Sequence, residues 1–281
     1  MTRALWITDI HLNFVKPDKH KELIDAILRE KPDMIWLGGD IGEADTVVEY
    51  LEELDRLLTL PMYFVLGNHD FYNGSFRSVR SKVQKLVRGN SRLHLLGYEG
   101  VFRINDQTGL IGHGGWADGR LGDWAGSTIM LNDYLTITDF KKMLGRSTEG
   151  TQQERMKSSQ AERLAKMQSL AEESAAHFRK LLPEALERFE HVYVLTHVPP
   201  WKEACWYEGK HSDDNYLPHF SNKAAGDVLY EIMAAHPKRR MTVLCGHTHG
   251  EGKAQILPNL ECLTGGATYG VPYVQQVFEF A

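Results

Sequence analysis

The stretch Met62-Tyr63-Phe64-Val65-Leu66-Gly67-Asn68-His69-Asp70 passes from a short apolar run straight into a glycine and three hydrogen-bonding side chains. The apolar half is brief, rich in branched and aromatic residues, and bounded by glycine, as a buried strand is. The polar half therefore sits just past a strand end. The same pairing recurs along the chain. Ala4–Ile7 leads to Asp9 and His11, and Met34–Leu37 leads to Gly38-Gly39-Asp40. Val192–Leu195 leads to Thr196-His197-Val198-Pro199-Pro200, and Met241–Leu244 leads to Gly246-His247-Thr248-His249. Leu110–Ile111 and Glu261–Leu263 are further strand-like runs.

Helical patterns lie between these runs. Lys19–Arg29, Thr46–Leu58 and Asn222–Ala235 carry apolar residues at spacings of three and four, which makes one face of a helix. Strand–helix alternation predicts an α/β architecture. In such sheets, strand ends on one edge converge and ligands bind there. Asp9 and His11 are two apart on an extended chain, so both side chains point the same way. Gly38 and Gly39 allow a sharp turn and a close backbone approach before Asp40.

The rhythm breaks between Ala117 and Glu190. Asp118–Gly145 is rich in glycine, aspartate and aromatics, whereas Gln152–Leu182 is one long helical pattern that Pro183 should interrupt or kink. A stretch this long is too much for a plain connection. Residues 1–281 are thus read as one domain with a helical insertion at about 117–190, acting as a cap; the alternative is a pair of ordinary surface helices with no role at the site.

The formal net charge of −5 argues against a partner bound through a broadly basic surface, so nucleic acid is an unlikely partner. Cys205, Cys245 and Cys262 have no spacing that suggests a disulfide framework or a thiolate zinc site, and reduced thiols fit a cytosolic protein. No apolar span is long enough for a membrane crossing. The expectation is a soluble, cytoplasmic protein.

Asp9, His11, Asp40, Asn68, His197, His247 and His249 form a donor set of imidazoles, carboxylates and one amide oxygen, without thiolate. That set suits manganese, iron, zinc, nickel or cobalt better than calcium or magnesium alone, with manganese or iron first. The seven candidates exceed what one ion needs. Two divalent ions sharing Asp40 would use them all. Ions about 3.5–4 Å apart are the arrangement for displacement at phosphorus.

Asp-x-His, Gly-Asp, Gly-Asn-His-Asp, a lone strand-end His and Gly-His-x-His, in this order, resemble the calcineurin-like metallophosphoesterase family over Asp9 to His249. The resemblance implies a four-layer αββα sandwich with a dimetal site at its strand ends. It implies Asp9, His11 and His249 on one metal, Asn68, His197 and His247 on the other, and Asp40 between them. His69 matches the family's second-sphere histidine, and Asp70 the acid that orients it.

Two cations would lower the pKa of a bridging water from about 15.7 to near 7, and the hydroxide would attack phosphorus in line. His69, with an ordinary pKa of about 6.5, would donate to the leaving group near neutrality, held and favoured in its charged form by Asp70. His113, in Gly112-His113-Gly114-Gly115-Trp116, opens toward the same edge and is a candidate for touching substrate, as is Asn68; it could equally line a turn. The aromatic stretch Trp201–Phe220 could stack on a base or pack on itself, and Arg77, Arg80 or Arg120 could supply a cation to phosphate. His20, His94, His177, His191 and His236 read as structural.

The expected activity is hydrolysis of a small, nucleotide-like phosphate ester, as phosphodiesterase or phosphatase. Alternatives are a nuclease, a protein phosphatase, a nucleotide-lipid pyrophosphatase and a silent binding scaffold. The protein-phosphatase branch has Gly-Asn-His-Glu, and the pyrophosphatase branch has Arg where His69 stands. A scaffold usually loses ligands that are complete here.

Overall fold

Alternate side chains of the first strand enter different cores, and that alternation sets the layers. The computed structural model describes residues 1–143 and 152–281, with side chains left aside at 152–157. The chain runs β1 (Thr2–Ile7), α1 (Pro17–Glu30), β2 (Met34–Leu37), α2 (Val47–Leu58), β3 (Met62–Phe64), α3 (Phe76–Arg88) and β4 (Leu93–Leu95). It continues with β5 (Phe102–Arg103), β6 (Thr108–Gly112), α4 (Asn132–Thr136), α5 (Thr138–Lys141), α6 (Gln152–Arg188) and β7 (His191–Leu195). Then come β8 (Trp206–Tyr207), β9 (Lys210–His211), α7 (Leu217–Phe220), α8 (Lys223–Ala235) and β10 (Arg240–Cys245). β11 (Gly252–Leu257), β12 (Leu260–Thr264) and β13 (Gln276–Phe280) close the chain.

One sheet has the order β13-β1-β2-β3-β4 and the other β11-β12-β10-β7-β6-β5. The inner pairs are parallel, joined by helical crossovers; β13, β11 and β5 are antiparallel edges. Leu5 and Ile7 face α1, α2 and α3, while Ala4 and Trp6 face the other way. There they meet Trp36, Leu110, Tyr193, Leu195, Leu244, Phe278 and Phe280, drawn from both sheets. A separate core lies beneath α6 and α8 on the far face of the second sheet. The result is helices, sheet, sheet, helices, as the resemblance implies, with parallel strands ending along one edge.

The segment expected as a cap divides in two. The C-terminal half of α6 is the crossover from β6 to β7, and Ala171, Ala175, Phe178, Leu182 and Leu186 fill the outer core. Further up, Met167 and Leu170 join Tyr134 of α4, Phe140 of α5, Phe76 and Trp116. Residues 144–151 of the expected insertion lie outside the described residues. Of the expectation that Pro183 interrupts or kinks the helix, the interruption is corrected: α6 is one helix of 37 residues that passes through Pro183 to Arg188. A proline there costs about 3 kcal/mol. Burial of Leu181, Leu182 and Leu186 around it offsets that loss, at about 1.5–3 kcal/mol per side chain.

Candidate active site

The loops after β1, β2, β3, β7 and β10 are tied to one another by backbone bonds. Asp9 N–H donates to Gly39 O at 3.1 Å, His11 N–H to Asp40 O at 2.9 Å, and Gly246 N–H to His197 O at 2.9 Å. The two sheets are joined where His247 N–H donates to Asp9 Oδ1 at 2.9 Å. Close approach demands glycine at position 39: its φ is +95°, and a Cβ would come within 2.6 Å of Gly67 N and 2.9 Å of His197 Nδ1. Nine non-glycine residues have positive φ among those described, and five are Asp9, His11, Asp40, His247 and His249. Left-handed backbone is costly for such residues and persists only where surroundings impose it. Here it turns the donor side chains inward.

The side chains of the seven candidates lie together in the folded chain. Ligand atoms of Asp9, His11, Asp40 and His249 all lie within 4.8 Å of one another, a group that could hold a metal ion. His11 Nε2 and His249 Nε2 face each other at 3.1 Å, and His249 Nε2 is 3.6 Å from Asp9 Oδ1. Alongside, His197 Nε2 and His247 Nδ1 each lie 2.9 Å from the same Asn68 Oδ1. Asp40 stands between the two groups, 3.7 Å from His11 Nε2 and 3.4 Å from His197 Nε2. Behind them, His197 Nδ1 is 2.9 Å from Gly38 O, and His247 Nε2 is 3.1 Å from His219 O. Backbone carbonyls thereby set both rings.

The electrostatics call for a cation. Asp9 and Asp40 are buried, and among the described residues neither pairs with Lys or Arg. Burial drives the His11, His197 and His247 imidazoles well below their ordinary values, with neighbouring imidazoles adding to the effect at His11 and His247. Those three histidines therefore do not neutralise the carboxylates. Burial, with Asp9 and Asp70 nearby, pushes the Asp40 carboxyl well up. Uncompensated buried carboxylates are costly; divalent ions fit the gap in charge, and the neutral imidazoles have lone pairs to offer.

Asp70 requires a correction. Its carboxylate accepts four backbone N–H bonds, from Asp40 (3.1 Å), Ile41 (2.8 Å), Gly42 (3.0 Å) and Gly67 (2.8 Å). It clamps the β2 and β3 loops together, and no hydrogen bond to His69 is present among the described residues. The four N–H groups outcompete a single imidazole for the same two oxygens. His69 is therefore without that partner; burial, then His249 and His197, lower its pKa to about 3. Its Nε2 lies 4.0 Å from Asp40 Oδ2 and 3.4 Å from the Tyr269 hydroxyl.

His113 stands apart from the cluster. Its Nδ1 accepts from Gly115 N–H at 3.0 Å, and its ring meets His177 and Phe178 of α6 at 5.3 and 6.4 Å. These contacts place it in the turn after β6 rather than with the donors. The aromatic stretch packs largely on itself: Trp206 against His211 at 3.9 Å, and Tyr207 with Tyr216 and Phe220. Arg80 pairs with Glu173, and Arg120 with Asp118 and Glu172, all away from the cluster. His20, His94, His191 and His236 are likewise engaged elsewhere.

Other residues carry no motif. Asp133 of α4 is buried and accepts from Asn68 Nδ2 at 2.8 Å and from the Tyr72 hydroxyl at 2.7 Å. Burial, together with Asp133, holds the Tyr72 hydroxyl well above its ordinary value, so it stays a donor. With both amide hydrogens occupied in this direction, Asn68 turns its oxygen to His197 and His247. Tyr269 and Phe14 lie over His11, at 4.7 and 6.3 Å between rings.

A two-sheet sandwich with carboxylates, imidazoles and an amide gathered at its shared strand ends defines a metallohydrolase. The chain belongs to the calcineurin-like phosphoesterase family, which matches residues 2–251, and it is a phosphoric ester hydrolase. No curated protein matches it by sequence. Among solved structures, it is similar to a dimetal phosphatase from Danio rerio, with 16% identity and a TM-score of 0.53, over 94% of this chain and 87% of that one. It is also similar to the phosphopantetheinyl hydrolase PptH from Mycobacterium tuberculosis, with 12% identity and a TM-score of 0.53, over 97% and 95%. At such identities the likeness concerns the fold. No helix among the described residues is long and apolar enough to cross a membrane.

Proposed function

We propose that this chain hydrolyses a small, nucleotide-like phosphate ester with two divalent ions, manganese or iron first. Asp9, His11 and His249 would hold one ion and Asn68, His197 and His247 the other, with Asp40 between. The observation that carries this reading is the position of Asp40, 3.7 Å from His11 on one side and 3.4 Å from His197 on the other. Bound there, the ions would supply Lewis acidity and a water of lowered pKa. Asn68 binds through a neutral oxygen, which keeps the site attractive to an anion. His69, beside Asp40 and Tyr269, would exchange a proton with the leaving group, its charged form favoured by an arriving phosphate dianion. The buried, free thiols of Cys205, Cys245 and Cys262 support a reducing, cytoplasmic setting.

Elemental analysis of the purified protein, with a Mn²⁺-supplemented panel of a diester, a monoester, cyclic nucleotides and nucleotide diphosphates, tests the reading. Two equivalents of metal and turnover within the panel are expected. Turnover of none of these compounds would return the chain to the scaffold alternative. Asp40→Ala should lose at least one metal equivalent; unchanged metal content would remove its bridging role.

A further inference from the structure

The loop between β12 and β13 returns over the donor cluster. It is fixed in place: Ala267 N–H donates to His249 O at 3.1 Å and Val271 N–H to Thr268 O at 3.0 Å. Gln275 brackets the loop through Gly266, accepting from its N–H at 3.1 Å and donating to its carbonyl at 2.8 Å. The tip presents Tyr269, whose ring lies 4.7 Å from His11 and 5.0 Å from His249, with its hydroxyl 3.4 Å from His69 Nε2. Phe14, from the loop after β1, meets Tyr269 at 5.0 Å and 68°. At Gly270 (φ +79°) a Cβ would come within 3.4 Å of the Phe14 carbonyl, so the two loops touch through backbone as well.

Both rings are about half exposed, Phe14 at 51% and Tyr269 at 49%. Single exposed apolar residues need no explanation. These two form a right-angled corner against the ring of a candidate metal ligand, unlike the aromatics of 206–220, which bury against one another.

We propose that Phe14 and Tyr269 form a stacking corner for the flat leaving group, an aryl ring or nucleobase, of a phosphate ester whose phosphate rests on the Asp9, His11, Asp40 and His249 cluster. This rests on the function proposed above and names its substrate class. An aromatic leaving group covers the exposed ring faces and lies beside His69, where a departing oxygen needs a proton. Stacking on aromatic side chains tolerates many flat groups.

The test is calorimetric binding of phenylphosphonate and ethylphosphonate to the Mn²⁺-loaded full chain. Neither has a hydrolysable ester, and the comparison is made above the second ionisation of both, where each is a dianion. Phenylphosphonate should bind roughly 5- to 100-fold more tightly. Phe14→Ala and Tyr269→Ala should each shrink that preference, their combination should abolish it, and Tyr269→Phe should retain most of it. Thermal unfolding of each variant confirms that the half-exposed positions leave the fold intact. Equal binding of the two phosphonates by the unaltered protein, binding of neither, or a phenyl preference that survives the double substitution would overturn the corner. Ester turnover assays run in parallel separate the two readings. A phenyl preference without turnover leaves the corner and removes the hydrolytic role; turnover without a phenyl preference does the reverse.

Discussion

Asn68 is held from both ends of its amide. Its oxygen faces two imidazoles, and its nitrogen is spent on Asp133 and Tyr72, at 2.8 and 3.3 Å. Partners of this kind typically govern metal affinity by 10- to 100-fold. Asp133→Ala should therefore weaken metal binding on the Asn68 side by about that factor, read by competition with a chelator. Tyr72→Phe should do so less, because Asp133 still receives the amide. His69→Ala should keep its metal yet lose roughly 10²–10⁴ in rate on esters with poor leaving groups; full activity on such a substrate would remove His69 from the mechanism. The candidate ligands themselves were legible from sequence, because each sits two to five residues beyond an apolar run. Asp133, Phe14 and Tyr269 were not. They lie on a short helix and on loops with no motif, and only the folded chain brings Asp133 to Asn68 across 65 positions.

At the scale of elements, legibility followed burial. β1, β2, β3, β6, β7, β10 and β12 lie inside their sheets, so both faces are apolar and the runs stand out. β4, β5, β11 and β13 are edges, wet on one side, and their mixed composition reads as loop. α3 was missed because Arg and Lys fill its outer face, although Phe76, Val79 and Val83 are buried and Ser75 and Ser78 form a capping box at its start. His191, at the start of β7, illustrates a cost of burial. Burial lowers its pKa to about 4, with Arg240 assisting and Glu261 opposing. An unfolded imidazole takes up its proton near 6.5. The unfolded chain thus binds more protons between these values. The contribution to stability is complete above about pH 6.5 and is lost as pH falls toward 4. His191→Gln should flatten that loss by roughly 2–3 kcal/mol, measured by urea unfolding across pH 4–7. An unchanged slope would show that His191 does not drive it.

At the scale of the whole molecule, bonds within the protein tie together the loops that carry the candidate ligands. Loop-to-loop backbone bonds and the Asp70 clamp fix the geometry from the protein side. Exhaustive chelation should remove activity while leaving the far-UV circular dichroism in place, unlike small zinc domains that unfold without metal. Loss of helical signal on chelation would refute this. Restored Mn²⁺ should raise the melting temperature with the logarithm of its free concentration once that exceeds the dissociation constant.

The unbroken course of α6 has a mechanical consequence. A rod of 37 residues is about 55 Å long. One stretch of it braces Tyr134 and Phe140, beside the acid that steers Asn68, and the next lies flat on β6 and β7. The two are parts of a single strut, so a displacement of one stretch is carried into the other. The segment cannot be excised as a module, because the cut would strip one wall from the building that supports it.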